Sequence, residues 1–162
     1  MKGGGDVPGL ESKSASRIAL NTALLSVAVG IFFLVVSLKA QLIVPQIVAI
    51  QLVFPIPLLL TSILSYSKVG YRERTERWDA LGWITFVIAY ALILNVIGII
   101  LGNTVSVTVS PLFFAASWTM TAIYSIVDVS YEKSHLRERV AKDTLFIATQ
   151  LLFGVAVVLG LL

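Results

Sequence analysis

Asp128, Glu132 and His135 occupy positions i, i+4 and i+7, so a continuous helix would set two carboxylates and an imidazole on one face. Those donors suit a divalent metal, and they are the one arrangement in the chain that a metal-dependent intramembrane enzyme would use. His135 is the only histidine. A solvated helix face gives the same spacing without a metal, so no metal and no cofactor is assigned. A second pattern runs just before it. Ser117, Thr121, Ser125 and Asp128 recur every three or four residues, and Ser106 and Ser110 would prolong the stripe. Such a stripe suits a polar pathway, although hydroxyls in membrane helices also bond their own carbonyls or a neighbouring helix, and packing is the simpler reading. A third pattern is Pro55 with Pro57, which removes helical amides and frees carbonyls near Gln51 and Val53, with Gln46 and Gln51 on the outer side of the break. Discontinuous membrane helices expose backbone to an ion or solute in this way.

The elements that position these groups follow from composition. Hydrophobic residues fill 57% of 162 positions and mean hydropathy is +0.93, more apolar surface than a soluble fold of this size buries. The expected solvent is the bilayer. A helix pairs its own backbone and needs about 20 apolar residues to cross roughly 30 Å of hydrocarbon. Five runs meet or approach that length: Ile18 to Leu38, Leu42 to Ser65, Ala80 to Leu101, a fourth ending near Val129, and Thr144 to Leu162. The predicted fold is therefore all-α, an integral membrane protein of five transmembrane helices. A Gly- and Ser-rich tail, 1–16, is expected to be disordered, and 17–162 to form a single domain. The first run starts too late and is too long for a cleaved leader, and reads as an uncleaved anchor.

Of the 12 Lys and Arg residues, all but Lys39 fall in three polar segments. Lys2, Lys13 and Arg17 precede the first run. Lys68, Arg72, Arg74 and Arg77 separate the second from the third, and Lys133, Arg137, Arg139 and Lys142 separate the fourth from the fifth. Five crossings place all three segments on one side, which the positive-inside rule makes the cytoplasm, with the C-terminus outside. The predicted location is the cell membrane, multi-pass.

The two longer basic loops share a skeleton. Ser65, Tyr66, Lys68, Arg72, Glu73, Arg74 and Arg77 match Ser130, Tyr131, Lys133, Arg137, Glu138, Arg139 and Lys142 at a constant shift of 65 residues. Asp79 and Asp143 then precede the next apolar runs, where a carboxylate caps a helix start. Helix 1 followed by two parallel two-helix repeats, about 42–101 and 107–162, is the predicted organisation. Glu73 with Arg77, and Glu138 with Lys142, have the acid-first i, i+4 spacing that supports helical extensions of the spans. Tyr66, Tyr131 and the loop cations are expected to contact anionic lipid headgroups or an acidic partner, and not nucleic acid.

No cysteine, no histidine within a span and no glycine-rich phosphate loop is present, so enzymatic chemistry is the least expected class. Gly98 with Gly102, Ala156 with Gly160, and Ser26 with Gly30 repeat the small-residue spacing of close helix contacts. The leading expectation is a non-catalytic bundle acting by assembly with itself or with other membrane subunits. A channel or carrier for an ion or small polar solute is the alternative, and Asn21 and Asn95 are expected to bond across helices.

Overall fold

The computed structural model describes residues 8–37, 46–70, 75–131 and 136–161, and among these it is all-helical apart from short turns. The helices are α1 (Pro8–Ser37), α2 (Gln46–Val53), α3 (Pro55–Val69), α4 (Glu76–Thr104), α5 (Val109–Tyr131) and α6 (Leu136–Gln150). A π-helical segment, Leu151–Val155, then leads into α7 (Ala156–Val158). Among the described residues, five stretches are long and apolar enough to cross a membrane: Ser12–Ser37, Gln46–Val69, Glu76–Thr104, Val109–Ser130 and Leu136–Val158. That is the make-up of a multi-pass membrane protein. Of the positions singled out in the sequence, Lys2, Lys39, Arg72, Glu73, Arg74, Glu132, Lys133 and His135 lie outside the described residues, as does the side chain of Tyr131, so the Glu73–Arg77 pair and most of the metal pattern fall there.

Hydrogen bonds link neighbouring spans. Asn21 of α1 donates to Ser62 Oγ of α3 at 2.8 Å, and Ser62 donates to the Gly82 carbonyl of α4 at 2.7 Å. All three residues are buried, so this relay ties three spans at one level. The glycine is required there. A Cβ at Gly82 would fall 2.9 Å from the Tyr66 ring, which would force α3 and α4 apart. Below the relay, Ala28, Leu59, Ala89 and Ile93 close one core, and Val35, Val48, Leu52, Val96 and Ile99 close a second toward the far end. Lys13, Arg17, Asp79 and Arg139 gather at one end of the bundle, the charged end; the turn after Thr104 and the end of α7 form the apolar end.

The prolines act as expected on the second span. Phe54 separates α2 from α3, and the chain bridges the break with long bonds, Phe54 N–H to Ile50 at 3.4 Å and Leu58 N–H to Phe54 at 3.3 Å. Two other expectations need correction. α1 starts at Pro8, so residues 8–16 of the expected disordered tail are helical, and Ser14 Oγ donates to the Tyr66 carbonyl at 2.6 Å. Neither aspartate is a cap: Asp79 lies in the first turn of α4, which begins at Glu76 after Thr75, and Asp143 lies inside α6, which already begins at Leu136. The polar run before Thr144 is compatible with helix because the charged end supplies ion-pairing partners for it.

The hairpins of the proposed repeat pack unlike one another. α3 lies along α4 in the most extensive contact of the molecule, whereas α5 and α6 touch far less and α5 is the most exposed of the spans.

Candidate functional site

Where α5 and α6 stand away from α1, they leave a cavity of about 1000 Å³. α4 forms its back wall. Asp79, Trp83, Phe86, Val87, Tyr90 and Leu94 line it at three- and four-residue spacing, one face of a single helix. An adjoining face of α4, with Gly82 and Ala89, is the one packed on α3. α5 supplies the facing wall from Phe113 through Ser117, Met120, Thr121 and Tyr124 to Asp128. α1 contributes Lys13, Arg17, Leu20 and Asn21, α3 contributes Tyr66, and α6 runs from Glu138 to Phe146. From Asp79 to Leu94 the vestibule extends about 22 Å at 1.5 Å per residue, most of the way through a bilayer core.

Polarity changes with depth. The mouth carries charges of both signs, held by ion pairs and by rings. Arg17 pairs with Asp79 and lies 4.8 Å from the Tyr66 ring centroid. Arg139 pairs with Asp128 and lies 5.2 Å from the Tyr124 ring centroid. Lys142 bonds Glu138 at 2.5 Å, in the i, i+4 geometry expected from the sequence, and sits 5.4 Å from the Trp83 ring centroid. Asp143 accepts a hydrogen bond from Ser125. Such part-exposed pairs contribute little stability, at most about 1 kcal/mol each; their effect is to fix where the charges stand. Deeper, the wall becomes aromatic. Phe86 and Tyr90 stack with ring centroids 6.0 Å apart, and Tyr90 and Phe146 stack at 5.9 Å.

The far end is closed. Phe114, 2% exposed, fills the space between α4 and the π segment. A Cβ at Gly98 or at Gly154 would come within 2.8 Å of its ring, and one at Gly102 within 2.9 Å of Ser110. The π segment offers carbonyls that an α-helix would occupy. Gln51 donates to the Phe153 carbonyl at 2.7 Å and Asn95 to the Thr149 carbonyl at 3.2 Å. Trp118 donates to Gln150 Oε1 at 2.6 Å. Gln51 Oε1, Asn95 Oδ1 and Gln150 Nε2 have no protein partner, so a polar layer is locked beneath the vestibule floor.

The sequence stripe on α5 is divided by the structure. Ser117, Thr121 and Asp128 line the vestibule, with Ser117 and Thr121 bonded back to the Phe113 and Ser117 carbonyls. Ser125 is engaged with Asp143. Gln51 is buried in the closure instead of the vestibule, and Gln46 is exposed at the apolar end. Asp128, the one described residue of the metal triad, is paired with Arg139, and no metal-binding cluster occurs among the described residues. Tyr66, Arg139 and Lys142 line the vestibule. Sequence reasoning missed the α4 wall. Its signal, aromatic residues at positions 83, 86 and 90 on one helix face, is the same that a lipid-facing stripe gives.

No protein-family model, no curated protein and no solved structure matches this chain, so the vestibule and its closure are the basis on which its function is read.

Proposed function

We propose that this chain is a non-catalytic, multi-pass protein of the cell membrane that admits a small amphiphilic solute through the charged end and acts as a carrier. One observation carries the reading: a cavity of about 1000 Å³ is charged at one end and aromatic deeper in, and beyond its Phe113 end the buried ring of Phe114 is packed against Gly98 and Gly154. A passage open at one end and sealed at the other is what a carrier presents in one of its two states. The charge distribution makes the open end cytoplasmic. Lys68, Arg77 and Arg137, the described cations near that end outside the cavity lining, are then read as contacts for anionic headgroups. Assembly with itself or with another membrane subunit is a second reading, supported by the sparse burial of α5.

The test is binding of the neutral fluorescent amphiphile N-phenylnaphthylamine to purified protein in detergent, corrected for protein-free micelles. Saturable binding is expected, and Ser117→Trp, which places an indole in the vestibule, is expected to weaken it at least tenfold. Non-saturable partitioning, or equal binding by both proteins, would remove the vestibule from the function.

A further inference from the structure

We infer that the vestibule selects a hydrophobic organic cation and that Asp143 is its counter-charge, an inference that rests on the carrier reading above. Three of the acids at the mouth are already matched to bases on the vestibule wall: Asp79 to Arg17, Asp128 to Arg139 and Glu138 to Lys142. Asp143 differs. Its carboxylate lines the vestibule, and the partner it engages is a neutral hydroxyl, that of Ser125. The charge there is set beside aromatic faces. Phe146 follows Asp143 by three residues on the same side of α6 and stacks on Tyr90, which stacks on Phe86. Ring faces carry negative potential and attract cations, most strongly where water is excluded. The remaining cation of the lining, Lys13, stands exposed at the rim on α1.

A carboxylate above stacked rings recognises positive charge and apolar bulk together. A simple metal ion would gain little from the rings, and an anion would meet both the carboxylate and the ring faces unfavourably. A lipophilic ammonium or phosphonium satisfies both features. The hydroxyl of Ser125 orients the carboxylate without neutralising it, as a base in that place would.

The probes are tetraphenylphosphonium and tetraphenylborate, close in shape and opposite in charge, titrated calorimetrically into the full chain in detergent. The phosphonium is expected to bind and the borate to bind at least tenfold more weakly. Asp143→Asn is expected to lower phosphonium affinity at least tenfold, Asp143→Glu to retain most of it, and both variants to keep their affinity for neutral N-phenylnaphthylamine. Equal binding of the two ions, or unchanged phosphonium affinity in Asp143→Asn, would overturn the inference while the carrier reading stood. Saturable binding of the neutral probe without either ion would do the same. Loss of all saturable binding, the neutral probe included, would overturn both.

Discussion

Replacing Phe114 by alanine is expected to destabilise the protein and to breach the vestibule in one step. The ring is 2% exposed and is held against Gly98 on α4 and Gly154 on the π segment. Removing a fully buried phenyl group costs about 3–5 kcal/mol where the site cannot collapse. Collapse is opposed here by the bonds from Gln51 to the π segment and from Asn95 to the end of α6 just before it. The space vacated would join the vestibule to a layer in which Gln51 Oε1, Asn95 Oδ1 and Gln150 Nε2 lack protein partners. Water entering from the charged end would find those groups ready to bind it. The measurements are thermal unfolding in detergent and solute leak from proteoliposomes. Both a lower unfolding temperature and a raised leak are expected. A stable, tight variant would show that the closure lies elsewhere.

The second large effect is at Gly154. A Cβ there would fall 2.5 Å from Asn95 Oδ1 and 2.8 Å from the Phe114 ring, while the same carbon at Gly30 or Gly160 meets nothing within 4 Å. Gly160 adopts φ 69, so it requires glycine for its backbone; Gly30 is the proper control. Overpacking of this kind typically costs about 1–3 kcal/mol. Gly154→Ala is expected to lower stability by that order, and Gly30→Ala to leave it unchanged or slightly raised, since alanine is the better helix former. Because one ring is involved in both effects, the two sites should couple. Trimming the ring with Phe114→Leu in the Gly154→Ala background should recover part of the loss, with a coupling energy of roughly 0.5–3 kcal/mol in a double-mutant cycle.

The spans, and the small-residue contact at Gly98 and Gly102, were legible in the sequence because apolar length and glycine spacing act locally along one helix. Gly98 receives Phe114 and Gly102 receives Ser110, as the spacing implied. The bonds made by Asn21 and Asn95 were equally readable, since an amide inside a span must find a partner in another. The vestibule was only half visible. On α5 the hydroxyls of Ser117 and Thr121 stood out against apolar neighbours. On α4 the lining is Trp83, Phe86 and Tyr90, and in a membrane protein an aromatic stripe facing a cavity has the same hydropathy as one facing lipid. Gln51 misled for the converse reason. A polar residue beside a proline break reads as a solute site, yet the carbonyl it serves, that of Phe153, is exposed by a π bulge one hundred residues later in the chain. Hydropathy and local spacing give no such signal. The part of the metal pattern within the described residues, Asp128, is occupied by Arg139, a pairing between helices that i, i+4 arithmetic on one helix leaves out.

The proposed carrier opens at the charged end, which is proposed to be cytoplasmic, and is closed toward Phe114. The chain contains no cysteine, so the natural sequence is already a clean background for a single thiol. Thr121→Cys, within the vestibule, should react with a membrane-impermeant maleimide applied from the cytoplasmic side of oriented vesicles and remain unlabelled from the other side. Labelling of Thr121→Cys from the outer side alone, or from neither side in folded protein, would contradict the account.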